Sequence, residues 1–210
     1  MRVAQWMKKD PITISPETGV WEAARLLRQY RIRHLPVVKR GKLVGIVTDR
    51  DVKRVLPSPA TSLSVYEVSY LLDRLEVKEV MTKEVITVGP LVPIEEAAKI
   101  MHDRKIGCLP VLEGEALVGI ITETDLLAAL VEVMGVREPS SRLEIELPDT
   151  IEALAEVVGI LQKDRVAVSN LLAVPSNGRK VLVLRVKTID PSSTIKTLQQ
   201  AGYRVSPSPG

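Results

Sequence analysis

The stretch "GIVTDRD", Gly45 to Asp51, returns almost unchanged as "GIITETD", Gly119 to Asp125. Each copy runs an apolar, β-branched segment into Thr-x-x-Asp and then into a second apolar run, the pattern of a strand handing over to a helix. Thr48 with Asp51, and Thr122 with Asp125, have the spacing of an N-terminal capping box. In such a box the hydroxyl accepts from the N–H three residues on, and the acidic side chain reaches back to the N–H of the cap. Seen once, the motif needs no purpose beyond starting a helix.

Outward from these stretches the chain matches itself without a gap, Met7 pairing with Met81. Identical pairs include Ile12/Ile86, Thr13/Thr87, Pro16/Pro90, Glu22/Glu96, Ala23/Ala97 and Ile32/Ile106, then "LPV" at 35–37 and 109–111 and "LVGI" at 43–46 and 117–120. A match of this length implies two copies of one supersecondary unit, each too small to bury a good core alone. In the first copy "PITISP" reads as a short strand, and "TGVWEAARLLRQYRI" spaces Val20, Ala23, Ala24, Leu27 and Tyr30 as one helix face. "HLPVV" and "KLVGIVT" are β-rich runs joined by a turn containing Gly41, and a second helix opens at Thr48. The unit is β-α-β-β-α, and the second copy follows the same grammar.

Between the copies, Pro57 and Pro59 end the first unit's last helix. Ser64 and Glu67 form another capping pair, and Val65, Val68, Leu71, Leu72 and Leu75 recur at helical spacing, which predicts a linker helix. The resulting domain plan is 1–56 and 77–135 for the repeats, 57–76 for the linker, 136–206 for a third module and 207–210 for a disordered tail.

The 210 residues are 45% hydrophobic and 26% charged, with two histidines and one cysteine. No apolar run is long enough for a membrane span, and "MRVAQWMKKDP" has no secretory apolar core, so a cytoplasmic protein is expected. Cys108 has no partner for an internal disulfide. A net charge of +3 with 3% aromatics shows neither a basic stripe nor a stacking platform for nucleic acid. Cys-x-x-Cys, His-x-x-x-His and Gly-x-Ser-x-Gly patterns are missing, as is a glycine-rich phosphate loop. No catalytic residue, metal site or catalytic cofactor is therefore expected.

The tandem units with "ITISP", "RHLPVV" and "GIVTDRD" resemble a pair of CBS (cystathionine β-synthase type) domains, the arrangement called a Bateman module. The resemblance implies clefts that bind adenosyl ligands such as AMP, ADP, ATP or S-adenosylmethionine. It places Thr48, Asp51, Thr122 and Asp125 at ribose and phosphate. Thr13, Thr87 and the backbone around Ile14, Leu35, Val37, Val88, Leu109 and Val111 would line the adenine slot. The chemistry agrees: a carboxylate can accept both ribose hydroxyls, and a threonine hydroxyl can turn to phosphate. Arg31, Arg33, His34, Lys39, Arg40, Lys42 and Arg50 surround the first motif, whereas the matching places in the second copy keep only the charge of Lys105. Guanidinium groups grip phosphate, so the Asp51 cleft is expected to prefer charged nucleotides, through Arg33, His34 and Arg50, and the Asp125 cleft to bind weakly or take a less charged adenosyl ligand.

From Arg142 the pattern changes. "RLEIEL", "TIEALAEVVGILQKD", "VAVSNLLAV", "KVLVLRVK", "DPSSTIKTLQQAG" and "YRV" read as β-α-β-β-α-β, a ferredoxin-like order, with Asn177-Gly178 as the hairpin turn and Asp190 and Pro191 as cap and first helical residue. Glu144 and Glu146 are expected to face Arg185 and Lys187 across neighbouring strands. "EALAEVVGIL" and "VAVSNL" resemble an ACT domain. Ile151 and Glu152 stand where such domains have proline and glycine, which favours pairing between ACT sheets over amino-acid binding. The whole resembles the acetoin-utilisation B-type family. That implies an α/β (α+β) chain acting as a non-enzymatic, homodimeric sensor of adenosyl ligands that signals to a metabolic enzyme. The rival readings are a scaffold with vestigial clefts and an enzyme of acetoin metabolism.

Overall fold

The computed structural model describes residues 1–55, 74–148, 150–176 and 179–207. The linker helix expected over 57–76 lies outside the described residues except for 74–76, as do the Asn177-Gly178 turn and the last three residues of the tail. Two compact units are present, Met1–Leu127 and Ala128–Gly210.

The first unit contains both repeats. A short 3-10 turn, Val3–Gln5, precedes β1 (Lys8–Lys9) and α1 (Val20–Gln29). Then come β2 (His34–Lys39), β3 (Lys42–Thr48) and α2 (Asp49–Val55). The second repeat supplies α3 (Val77–Val80), α4 (Ile94–Arg104), β4 (Cys108–Glu113), β5 (Ala116–Thr122) and α5 (Glu123–Val133), whose last turns run into the second unit. The two hairpins are near copies. Val37 faces Gly45 and Val111 faces Gly119, each just before a bulge. "PITISP" forms no full strand: among the described residues its one ladder contact is a single parallel bridge from Ile14 to Val37, matched by Val88 to Val111.

The pleat explains the core. Leu35, Val37 and Val47 are fully buried with Val20, Ala23 and Val77, and Leu109, Val111, Ile121 and Ala97 repeat the arrangement. Burying a Leu, Val or Ile side chain stabilises by about 1.5–3 kcal/mol each.

Each repeat also reaches across to the other. β1 pairs antiparallel with β5, Lys8 opposite Ile120, and Thr82 bridges to Ile46 of β3. The bridge at Ile46 is closed by two backbone bonds, Ile46 N to Thr82 O and Thr82 N to Ile46 O, both 2.9 Å. Gly45 and Gly119 make this approach feasible. A β-carbon on Gly119 would stand 2.6 Å from Met7 Sδ and 3.0 Å from Lys8 O, and one on Gly45 would collide with Met81 Sδ. A glycine inside a strand often marks such a close approach.

The second unit runs β6 (Ser141–Leu147), α6 (Ile151–Lys163), β7 (Val168–Ser176), β8 (Arg179–Val186), α7 (Ser192–Gln200) and β9 (Arg204–Pro207). Its antiparallel sheet has the order β7-β8-β6-β9. Thr150 caps α6 by accepting from Ala153 N at 3.3 Å, and Ala153, Val157 and Leu161 form its buried stripe. Leu143, Ile145, Leu182, Leu184 and Leu198 are fully buried with them. The expected charge pairing fails in detail. β6 and β8 are neighbours, but the antiparallel register sets Glu144 opposite Val183 and Glu146 opposite Val181, while Arg185 faces Arg142. Glu144 instead pairs with Arg142 along its own strand at 2.6 Å, and Lys187 with Glu138 at 3.0 Å. Pro191 precedes the first helical residue rather than occupying it. Asp190 still accepts from Ser192 N at 3.0 Å.

Candidate functional site

Both Thr-x-x-Asp motifs close as capping boxes. Asp51 Oδ2 accepts from Thr48 N at 2.9 Å and from Thr48 Oγ1 at 2.7 Å, and Asp51 N donates to Thr48 Oγ1 at 3.3 Å. The second copy repeats this at 2.8, 2.7 and 3.4 Å between Thr122 and Asp125. A single carboxylate oxygen serves the cap in both. Among the described residues no hydrogen bond reaches Oδ1 of either aspartate, which leaves one half-buried acceptor per motif for a diol or another donor.

Each motif lines a cavity completed by the opposite repeat. Thr48, Arg50 and Asp51 share a cavity of ≈ 440 Å³ with Thr82, Val85, Ile86, Lys105 and Ile106. Thr122, Thr124 and Asp125 share one of ≈ 230 Å³ with Lys8, Pro11, Ile12, Arg31 and Ile32. These residues correspond position for position between the two repeats. The crossing follows from the strand exchange, because β1 and the Thr82 bridge carry each repeat's amino-terminal arm onto the other's last strand. Arg33 and His34 line both cavities.

This arrangement corrects the expected charge asymmetry. Arg31 lies in the Asp125 cavity, not the Asp51 cavity, and its counterpart Lys105 lies in the Asp51 cavity. Both cations sit in the left-handed region after a helix, Arg31 one residue past the C-cap Tyr30 of α1 at φ +51° and Lys105 as the C-cap of α4 at φ +57°. Arg50 and Arg54 do line the Asp51 cavity, but Asp49, Glu84 and Glu123 join Asp51 there, whereas among the described residues Lys8, Arg31 and Arg33 stand against Asp125 as the one lining carboxylate. Lys39, Arg40 and Lys42 line neither cavity: Lys39 pairs with Glu17 at 2.7 Å and Lys42 with Glu115 at 2.7 Å.

Of the residues expected at the site, Arg33, His34, Thr48, Arg50, Asp51, Thr122 and Asp125 line the cavities. Thr13, Ile14, Leu35, Val37, Thr87, Val88, Leu109 and Val111 do not. Leu35, Val37, Leu109 and Val111 are wholly buried in the core, and the Ile14 backbone is engaged with β2, donating to Pro36 O and accepting from Val38 N. Val88 is held in the same way by Pro110 and Leu112. The apolar walls come from Ile12 and Ile86, one residue earlier than the threonines. These, with Lys8 and Thr82, were missed; the signal was the pairing of Met7/Met81 and Gly45/Gly119 in both copies, which marks where arm and strand meet.

His34, which lines both cavities, lies beside Gly107 of the larger one. A β-carbon on Gly107 would lie 3.4 Å from both His34 Nε2 and Glu123 Oε2. Burial, then the neighbouring Arg33 guanidinium, hold the His34 imidazole below its usual range, opposed by Asp49 and Glu123. Arg33, the counterpart of Gly107, reaches Thr124 Oγ1 at 3.4 Å and narrows the Asp125 side. Cys108, the counterpart of His34, is buried and its thiol is pushed up to about 12 by desolvation, then by Glu123. Among the described residues no group of three or more His, Cys, Asp or Glu is placed to hold a metal ion, and no helix is long and apolar enough to cross a membrane.

Two interlocked strand-helix repeats, each closing a cleft with the other's Thr-x-x-Asp, are matched by the CBS domain model over residues 3–58 and 77–132. The chain belongs to the CBS domain family, as a tandem pair. It is 37% identical over 172 residues, 78% of its length, to an inosine-5′-monophosphate dehydrogenase of Korarchaeum cryptofilum, and spans about a third (33%) of that enzyme's length. Among solved structures, it resembles a candidate acetoin utilization protein (AcuB) of Vibrio cholerae, with 31% identity, TM-score 0.54, and coverage of 65% of this chain and 96% of that one. It also resembles the CBS domain pair of protein MJ0100 in complex with 5′-methylthioadenosine and S-adenosyl-L-methionine, with 29% identity, TM-score 0.52 and coverage of 63% and 97%. CBSX2 in complex with AMP aligns at 26% identity and TM-score 0.52, over 63% of this chain and 97% of that one.

Proposed function

We propose that this chain is a non-enzymatic regulatory sensor that binds adenosyl ligands in its two CBS clefts. The observation that carries the reading is the arrangement at Asp51 and Asp125. In each, one carboxylate oxygen holds the cap and the other is left without a hydrogen bond among the described residues, on the wall of a cavity with an apolar isoleucine and cationic side chains. An adenosyl ligand presents matching parts: a flat apolar ring, a ribose diol and, when phosphorylated, an anion. CBS pairs similar to this one are held in complex with 5′-methylthioadenosine, S-adenosylmethionine or AMP, which supports the ligand class.

The domain plan that accompanies the proposal has CBS repeats over 1–56 and 77–135, a linker over 57–76 and an ACT-like ferredoxin fold over 136–206. The β-α-β-β-α-β order and the β7-β8-β6-β9 sheet support the last assignment. Edge strand β7 exposes Val168, Leu171, Leu172 and Val174, an apolar margin suited to sheet pairing in a homodimer. Ile151 and Glu152, both exposed at the start of α6, argue against a glycine-lined amino-acid slot. A cytoplasmic regulator of an enzyme in acetoin or related carbon metabolism is the reading the Vibrio cholerae relative supports.

A thermal-shift and calorimetric panel of AMP, ADP, ATP, S-adenosylmethionine, 5′-methylthioadenosine and NAD tests the proposal. Saturable binding of at least one adenosyl ligand, weakened by Asp51→Ala or Asp125→Ala, is expected. Silence toward the whole panel overturns it in favour of a scaffold with vestigial clefts, and turnover of acetoin by the pure protein overturns the non-enzymatic reading.

A further inference from the structure

The two clefts match in their apolar walls, their capping aspartates and the cation that each receives from a left-handed residue, yet their charge differs. In the smaller, Lys8, Arg31 and Arg33 stand against a single carboxylate, Asp125. In the larger, Arg33, Arg50, Arg54 and Lys105 are offset in part by Asp51, Glu84 and Glu123, while Asp49 is engaged by Lys53 at 2.8 Å. Asp49 is ionised at neutral pH, its carboxyl held below the usual range chiefly by the hydrogen bond from Lys53.

We propose that the Asp125 cleft is the phosphate-selective one, taking adenosine 5′-phosphates, and that the larger Asp51 cleft takes adenosyl ligands without phosphate. The inference rests on the adenosyl reading above and adds to it which cleft sorts by charge. A phosphorylated ligand entering the Asp51 cleft meets carboxylates at close range. The repulsion of Glu84 and Glu123 subtracts from what Arg50 and Lys105 supply, because opposed charges lining one cavity act on the same ligand. In the Asp125 cleft the one carboxylate among the described lining residues is Asp125 itself, and two of the three cations are guanidinium groups able to grip phosphate bidentately. The larger cavity is therefore not the one suited to the more highly charged ligand. Arg33 borders both clefts, so a phosphate that recruits it on the Asp125 side removes a cation from the Asp51 side, deepening the difference.

The paired probes are ADP and 5′-methylthioadenosine, which share the adenosyl group and differ in charge. The paired variants are Arg31→Asn and Lys105→Asn, at matched residues whose left-handed backbone suits asparagine and which lie outside both capping boxes. Calorimetry on the full chain should show Arg31→Asn weakening the tighter ADP site by about three- to tenfold, with 5′-methylthioadenosine unchanged. Lys105→Asn should leave that ADP site within about twofold of wild type. ADP affinity falling equally in both variants, or more in Lys105→Asn, overturns the inference and leaves adenosyl binding intact. Failure of the wild-type chain to bind either probe overturns both readings at once. Circular dichroism melts of the two variants, expected to match wild type, separate lost binding from lost folding. A variant that melts early is replaced by Arg31→Gly or Lys105→Gly.

Discussion

Met7 Sδ lies against the α-carbon of Gly119, where an added β-carbon would stand 2.6 Å from the sulfur and 3.0 Å from Lys8 O. The same relation joins Met81 to Gly45. These contacts seat each repeat's amino-terminal arm on the other repeat's last strand, and so build both clefts from two halves.

Gly119→Ala is expected to destabilise the first unit by about 1–3 kcal/mol, the cost of overpacking a close contact against backbone. Urea denaturation measures it. Met7→Ala added to Gly119→Ala should recover part of the loss, because it removes the sulfur but not the Lys8 carbonyl. Strict additivity of the two changes would show that the sulfur is not what the β-carbon meets.

The capping role of the motif is separable from ligand binding. Without ligand, Thr48→Ala and Thr122→Ala should each lower stability by about 1 kcal/mol, with Thr→Ser nearly neutral. An unchanged urea midpoint for both alanine variants would contradict the reciprocal bonds seen at 2.7 Å.

His34 sets a pH response. Its imidazole is held below the usual value, so the folded state takes up its proton less readily than the unfolded chain. Between the depressed folded value and the ordinary value near 6.5 the unfolded state binds more protons, and stability falls as pH falls through that window. Above it the group contributes nothing. His34→Gln should flatten the stability profile between pH 5 and 7 relative to wild type, at about the resolution of a thermal melt. A parallel profile would place the titration elsewhere.

Cys108 should be inert in the native protein. Its thiol is pushed up to about 12 by burial, so almost no thiolate exists at pH 8. A chromogenic disulfide reagent is expected to label it in urea and not in buffer. Rapid labelling of the folded chain would mean that the wall of the Asp51 cavity around Cys108 opens readily.

The repeat itself, the two hairpins and both caps were legible in the sequence, because periodicity and Thr-x-x-Asp spacing report on residues close together in the chain. What escaped was pairing between copies. Nothing in the period of "PITISP" says that Ile12 lines the cleft of Asp125 rather than that of Asp51, and the same crossing carries Arg31 and Lys105 to the opposite clefts, while Arg50 stays with Asp51. The CBS resemblance sets the backbone around Leu35 and Val37 at the adenine slot, whereas their alternation marks the side chains as core, and both are fully buried. In the second unit the expected strand neighbours are observed, but Glu144 and Arg185 miss each other because register is fixed by burying Leu143, Ile145, Leu182 and Leu184, not by charge.

The exchange of arms has a genetic corollary. A solitary copy of the repeat would own two half-clefts and no whole one, whereas two solitary copies meeting about a twofold axis would complete both, identically. Fusing them in one chain frees the halves to drift apart, but never independently. A change in Lys8 or Arg31 rewrites the site whose aspartate is encoded in the other copy, so the specificity of each half is inherited from its twin.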